Sequence, residues 1–535
     1  MTKVSINALR GNTSLPQPNE VMDVLGYYNP GDGGGGKFYW VPAIQDADNS
    51  ATIIKQDNVA DGRWKRVIED VINVKWFGAK GDASTSDRDA LQRAIDFCAN
   101  RKLYIPTGIY LTDAALVISG DYSINIEGEG SNNSMIRITA PDYVIKASGT
   151  VQKNGIFLSG IRLEGSGAAG QGGIYLRQFT NGSKLSDMVI TKVDTGIRLE
   201  DTYYGSFENI KMHEINSYGI HGVKIGNEQI NAISFSQCYI NGAGIHNVYI
   251  QGGTSVGQGM NFIGCTFENS RKTGVVIEQQ SNVLFSGCYF EGNYVAAQTE
   301  ALTFNNPMHI KIIGYAFEVC NVKIDSCFFS CAMNPNVPYV PSTQKCAIYT
   351  SDSQLFPGDR PVKVTVSNCT FFPRLSPNDV VEYNLYSKGW IWYTGNTNYP
   401  VPPQNQVLAG RNEVVKYSNF LDLQYYQSFA LPVISPSSLK GYSDVRLRVT
   451  ALRNSPAGYG GGAFRIMEWD HSNPAAEQYL PAGNFATGQL ITDLSINEIR
   501  SRKAGSMKFT YVDLPPATEF YVLLEVIAVD KDNYT

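Results

Sequence analysis

Five versions of one phrase lie between residues 233 and 371: ISFSQCYI (233–240), MNFIGCTF (260–267), VLFSGCYF (283–290), VKIDSCFF (322–329) and VTVSNCTF (364–371). Each has two apolar residues at alternate positions, a two-residue bend, a Cys, one further residue and another apolar one. The alternation makes each half of the phrase a short strand with one inward face. The cysteines are Cys238, Cys265, Cys288, Cys327 and Cys369, at steps of 27, 23, 39 and 42 residues. A unit returning at this period cannot bury its apolar face alone and must stack on its neighbours, which is the mark of a solenoid. Strand, bend and strand, with Cys, Phe, Val and Ile turned inward, read as coils of a parallel β-helix.

Working back towards the start, Ile156 to Leu163, Leu185 to Ile190 and Phe207 to Met212 fit the phrase without Cys. They put Gly160, Met188 and Ile210 at the Cys position, and ten to twelve coils are expected between residues 103 and 395. Ahead of the coils, Ala90, Leu91, Ala94, Ile95 and Cys98 share one face at helical spacing. Ser86 with Asp89 reads as a capping box. A helix there closes the first coil, which otherwise exposes its core. The run Gly33–Gly36 lacks the GK[ST] and helix of a phosphate loop and reads as a tight turn before an aromatic strand.

Bulk composition narrows the function. The chain has 535 residues, a net charge of −5 and only 17% charged residues, so no basic surface for nucleic acid is read from it. The start MTKVSINALRG lacks a signal-peptide core, and Tyr521 to Val529 is too short and too polar to span a bilayer, so no membrane insertion is expected. Nine cysteines is an odd count, and five share one repeat position, which suits inward apolar fillers in a chain made in a reducing cytoplasm. Cys320, Cys327 and Cys331 match no paired-CxxC zinc spacing; no metal and no cofactor is expected.

The glycine-aromatic stretch Tyr27–Trp40, the segment VKWFGAKGD (74–82), the helix DALQRAIDF (89–97) and the turn YIPTGIY (104–110) resemble the pectate-lyase-like family of right-handed β-helices, most of all bacteriophage tailspikes and capsule depolymerases. The resemblance covers roughly residues 20–115 by motif and 115–395 by repeat. Family members often carry a GDGVTDDT-like stretch; here residues 81–87 have fewer acids, which argues against a cation there. The expected architecture is all-β: a leading attachment region over 1–70, a right-handed parallel β-helix with an N-terminal capping helix over 71–400, and a C-terminal β-sandwich-like domain over 401–535. The prolines at 400, 402 and 403 mark the last boundary. In the resembling family such a terminal domain supports trimerisation or binds carbohydrate, and the sequence leaves both open. The resemblance further implies a homotrimer on a virion tail, acting outside the cell. The short leading region points to attachment through a partner such as a baseplate or tail-adaptor protein, or to a fragment.

The chemistry is sought three residues after the Cys position, where the column reads His213, Asn241, Glu268, Glu291, Ser330 and Phe372. Cys and the residue two later face inward, so the third faces out. Glu268 and Glu291 then stand on neighbouring coils ~4.8 Å apart at the backbone. Two carboxylates so close repel, and a raised pKa is expected for one. Such a pair is what a glycosidase needs: a protonated acid beside an ionised partner. Surface Glu stacked on Glu is also ordinary in a β-helix. The longer steps after Cys288 and Cys327 place loops at Asn293–Met308 and Ala332–Lys345, bringing Tyr294, Phe304 and Tyr339 as rings for sugar faces. Asp325 is a candidate third acid, and Glu164 lies far along the axis. Tyr294, His309, Arg271 and Tyr339 are read as substrate-binding, and for an eliminating enzyme His309 or Tyr294 as the base and Arg271 as the carboxylate neutraliser. The leading expectation is a depolymerase hydrolysing a bacterial surface polysaccharide, capsule or O-antigen, through Glu268 and Glu291. A lyase on the same fold and a non-catalytic glycan adhesin are the alternatives.

Overall fold

The computed structural model describes side chains over residues 1–69, 71–119, 122–148, 155–179, 182–224, 229–253, 256–294, 308–314, 320–330, 347–350 and 364–371; elsewhere it describes backbone strands alone, as at 153–154, 180–181 and in the strands from 385 onward. These residues fall into two compact units, divided at about residue 310.

The first unit opens with a small sheet in the order Thr2–Lys3, Val21–Val24, Gly36–Val41, Arg63–Arg66, Ile53–Ile54. Phe38, Trp40, Trp64, Met22 and Leu9 form its core. The glycine run is the tight turn expected from its composition. The Asp32 carboxylate accepts from the backbone N–H groups of Tyr27, Tyr28, Asn29 and Gly34 at 2.7–3.0 Å. A Cβ on Gly34 would lie 2.4 Å from that of Tyr27, so only glycine fits.

The helix Arg88–Phe97 follows, with Ala90, Leu91, Ala94, Ile95 and Cys98 all buried against the first coil. Its cap differs from the expectation at Ser86. The N-cap is Asp87, and its carboxylate turns back to accept from the N–H groups of Lys80 and Gly81 at 2.5 and 2.9 Å. The Asp87 side chain thus braces the Gly81–Asp82 turn instead of the helix.

From Lys102 the chain winds as a right-handed parallel β-helix of three sheets. The first sheet takes Lys102–Ile105, Ile124–Gly128, Ile156–Ser159 and then one strand per coil to Gln280–Ser286; the second takes Gly108–Thr112 through Tyr289–Glu291; the third takes Leu116–Ile118 through Val275–Glu278. Eight coils of the first unit and three of the second, at Asn321–Asp325, Lys363–Ser367 and Trp390–Thr394, fall within the expected number.

A single left-handed residue sits at the bend between first and second sheets: Gly160, Asp187, Asn209, Gln237, Gly264, Gly287, Ser326 and Asn368 all have φ between 47° and 66°. The next residue is the inward one. This corrects the alignment of the early coil: Arg162 pairs with Val189, so Ile161 and not Gly160 holds the Cys position. Ser159-Gly160-Ile161 is the counterpart of Ser286-Gly287-Cys288.

Inside, the phenylalanines stack coil on coil: Phe207–Phe235, Phe235–Phe262 and Phe262–Phe285 centroids are 4.8, 5.2 and 4.9 Å apart. Cys238, Cys265 and Cys288 are buried free thiols, each donating to the carbonyl of the Phe one coil back, at 3.5, 3.4 and 3.3 Å. The thiols act as small fillers with a weak donor. In the second unit Phe329 stacks on Phe371 in the same way. After its coils, Tyr442–Asn454 pairs antiparallel with Gln489–Ser495 and Glu519–Asp530, and Gly462–Trp469 with Ser506–Val512, giving the two sheets of a sandwich-like region.

The stacked ring Phe262 touches rings on both sides, so truncating it opens a cavity that neither neighbour can fill. Phe262→Ala is expected to lower unfolding stability by about 3–5 kcal/mol, while Ser234→Ala on the outward face stays within about 0.5 kcal/mol. Urea unfolding of both variants checks this, and equal shifts for the two would refute the stacked core.

Candidate functional site

The second sheet aligns its outward residues in one column: Arg137, Glu164, Thr191 and His213, then Asn241, Glu268 and Glu291. Glu268 and Glu291 are direct register partners, as the spacing implied. Both sit at the last position of a three-residue strand. Asn269 and Gly292, which follow them, are left-handed, with φ of 51° and 57°. The chain therefore turns away at once, leaving each carboxylate on a corner.

Donors on the same face hold both acids. Glu268 Oε2 accepts from the Tyr239 hydroxyl at 2.9 Å and from Asn241 Nδ2 at 3.1 Å. Glu291 Oε2 accepts from the Tyr289 hydroxyl at 2.8 Å. Burial and then the bonded carboxylate push the Tyr289 phenol up to about 12. The Tyr239 phenol is raised too, by burial first, with the Glu268 bond and the charges of both acids adding to it and the Asn241 bond opposing it. The two phenols are therefore donors at neutral pH. Glu268 is half-buried and Glu291 exposed, so the pair is open to a solute.

Other sequence candidates fall differently. Asp325 lies on the strand before the bend, not in the acid column. Its carboxylate accepts from Ser367 Oγ, and from Asn368 Nδ2 and Ser326 Oγ at 3.3 Å, and the Ser367 bond foremost pulls it below the usual carboxylate range. It clips two successive bends. His309 is fully buried, its Nδ1 3.2 Å from Asn293 Nδ2 and its ring 5.8 Å from that of Phe290. Tyr294 is 4% exposed, its N–H bonded to the Lys272 carbonyl. Both belong to the packing behind the corner, so neither presents a ring or base to a sugar. Arg271 is exposed on the turn after Glu268. Glu164 is buried in ion pairs with Arg137 at 2.9 Å and Lys192 at 3.6 Å. Tyr339 and Phe304 lie outside the described residues.

The third sheet carries a second candidate surface that the Cys phrase does not reach. Tyr175, Arg198, His221 and Tyr249 occupy one outward column on four successive coils. Their steps of 23, 23 and 28 residues repeat the solenoid period, which is the signal that finds them. Burial and then the nearby Arg198 charge push the His221 imidazole down to about 4.

Residues 2–69 match the family model of a phage tail protein small four-stranded β-sheet domain, and residues 71–298 match that of the rhamnogalacturonase A/epimerase, pectate lyase-like family. The chain thus joins a segment like a phage tail β-sheet domain to a pectate lyase-like segment. It is 24% identical over 257 residues, 46% of its own length and 30% of the relative's, to depolymerase 1, capsule KN3-specific, of Klebsiella phage KN3-1. It is 38% identical over 76 residues, 12% and 9% of the two chains, to alginate lyase 7 of Azotobacter vinelandii. The chain thus spans under a third of the curated relatives it matches. In fold it is similar to the enzymatically active domain of bacteriophage CBA120 tailspike protein 2, with a TM-score of 0.55, 13% identity and 98% and 90% of the two chains covered. It is similar also to tailspike gp49 of Acinetobacter baumannii bacteriophage Fri1, described as a capsular polysaccharide depolymerase, at 0.52 and 14%, covering 99% and 98%.

The neutral His221 has a stability consequence. The unfolded imidazole titrates near 6.5 and the folded one at about 4, so between these values the unfolded chain binds more protons and stability falls as pH drops. His221→Gln removes that component. Its urea midpoint is expected to decline less steeply than the parent's from pH 6.5 to 4; parallel profiles would show that His221 is not held neutral.

Proposed function

We propose that this tailspike-type protein is a depolymerase that recognises and hydrolyses glycosidic bonds of a bacterial surface polysaccharide, with Glu268 and Glu291 as the reacting pair. The observation that carries the reading is the in-register pair at the strand ends, each carboxylate accepting from a tyrosine hydroxyl. Glu268 and Glu291 share the parts of acid and of base or nucleophile. The capsule depolymerase among its relatives and the tailspikes of like fold support the substrate class. Residues 1–70 serve attachment to the virion tail through a baseplate or adaptor protein, 71–400 carry the chemistry, and 401–535 support a homotrimer or bind carbohydrate.

β-Elimination is the second reading, favoured by the pectate lyase-like match and by the stretch shared with an alginate lyase. Buried His309 and Tyr294 do not supply its base, so the lyase reading needs another.

Glu268→Gln and Glu291→Gln are each expected to lower the cleavage rate by about 10²–10⁴-fold, with glycan binding retained. Mass spectrometry of the released oligosaccharides decides the chemistry. Products with one added water support hydrolysis, products with an unsaturated end mean a lyase, and a bound glycan that yields no products means an adhesin.

A further inference from the structure

Inside the corner between the second and third sheets, the chain changes character where the acids stand. Directly after the left-handed residue the inward column reads Val193, Ile215, Ala243, Ser270 and Asn293, all buried. The first three are apolar, and the two polar ones follow Glu268 and Glu291. A second column, at the start of the third sheet, reads Gly173, Gly196, Gly219, Asn247 and Gly274. Only Asn247 departs from glycine there. The departures in the two columns meet behind Glu268.

Asn293 is the hub, 2% exposed. Its Oδ1 accepts from the Ser270 N–H at 3.2 Å and from Asn247 Nδ2 at 3.1 Å. The Ser270 hydroxyl lies 2.9 Å from the same oxygen and 2.5 Å from the Lys272 carbonyl. A backbone N–H can only donate, so the contact with Ser270 fixes which way the amide points. Its two Nδ2 hydrogens then go to the Phe267 carbonyl at 2.8 Å and to His309 Nδ1 at 3.2 Å, and the His309 ring accepts at Nδ1. Asn247 Nδ2 also donates to the Glu268 carbonyl at 3.0 Å, beside the Gly242 N–H at 3.0 Å. A Cβ on Gly274 would lie 2.9 Å from Asn293 Cγ, so the return to glycine at 274 is what leaves room for the amide.

We infer that Asn293 is a positioning residue for the acid pair. It stands two residues after Glu291 and holds the backbone on both sides of Glu268, at the Phe267 carbonyl and the Ser270 N–H. Through Asn247 it reaches the Glu268 carbonyl as well. The turn that carries one acid is thereby tied to the strand end that carries the other, and a buried amide joins the coil repeat in fixing the separation of the carboxylates. Turning the corner does not by itself need this network, because the chain turns the same corner at Val193, Ile215 and Ala243 with an apolar side chain in that place. Glycosidases are sensitive to the separation of their two carboxyl groups, and a small shift of the reacting groups is felt in the rate. Buried Asn293 acts only through the acids, so the inference rests on the role proposed for Glu268 and Glu291.

Asn293→Ala and Asn247→Gly each take the residue type that the same column carries on another coil. On the polysaccharide that the parent cleaves, Asn293→Ala is expected to lower kcat about 10²-fold with KM unchanged. Asn293→Asp, which turns an oxygen towards the Phe267 carbonyl and His309 Nδ1, is expected to do the same. Phe207→Ala, a core truncation two coils away, keeps the parent's kcat at a temperature where every variant is folded. Hydrogen exchange read by mass spectrometry, with no substrate present, is expected to quicken over Phe267–Ser270 in the Asn293 variants and not in Phe207→Ala. Asn247→Gly keeps the test sound if Asn293→Ala melts below the assay temperature. Parental kcat in the Asn293 and Asn247 variants, a rise in KM alone, or unchanged exchange over Phe267–Ser270 overturns the positioning role. An equal loss of kcat in Phe207→Ala overturns it too, as an effect of general instability. Undiminished cleavage by both Glu268→Gln and Glu291→Gln sinks the acid-pair reading and the positioning role with it, whereas inactive Glu variants beside fully active Asn293 variants sink the positioning role alone.

Discussion

Eight of the described coils depend on one residue held in the left-handed region at the bend before the inward thiol or aliphatic side chain. Where that residue is not glycine, as at Gln237 and Ser326, the conformation costs about 1–2 kcal/mol. It is offset because the bend lets two short strands join their ladders in register with the coil before. With the bend fixed, Cys238, Cys265 and Cys288 fall beneath the phenylalanine carbonyls of the preceding coil, and the Phe rings meet at stacking distance. A shift of one residue would turn every inward side chain out.

That same register makes the outer surface a set of columns, and charge is sparing along them. Where acids do align, donors are built beside them. Glu268 and Glu291 each meet a tyrosine hydroxyl from the same face, and Glu164 and Glu200 are sunk among cations. The difference between these pairs of acids is exposure. Glu164 and Glu200 are consumed by their partners and have a structural part, holding arginines. Glu268 and Glu291 keep open sides at a corner, and only such carboxylates are available to a glycosidic oxygen or to water.

The coil phrase and the acid column were legible because the Cys position is chemically distinctive and the side chains alternate with period two. Counting three residues on from a visible thiol lands on Glu268 and Glu291. The same count slipped by one at Gly160, since no Cys marks that coil and the left-handed position there is itself a glycine. The Tyr175–Arg198–His221–Tyr249 column was missed for a related reason. Its strands carry no shared phrase, and turns of varying length separate them from the bend, so only the period of 23 to 28 residues links them. His309 and Tyr294 were misjudged because a polar ring near a loop reads the same whether it points out or in. Asn293, whose amide bridges Phe267 and His309, decides that they point in, and a hydrogen-bonded network among buried side chains leaves no periodic trace.

The corner between the second and third sheets is held differently from the bend between the first and second. Left-handed residues directly after Glu268 and Glu291 end the strands there, and single bonds such as Asn269 N–H to the Glu291 carbonyl and Tyr294 N–H to the Lys272 carbonyl carry the stacking round the corner. The next strand among the described residues is Ile310–Ile313. Length inserted at the bend between first and second sheets would pull the thiol from under its carbonyl. The spacing of the two carboxylates is set by the coil repeat, and they cannot move apart without unstacking the coils beneath them.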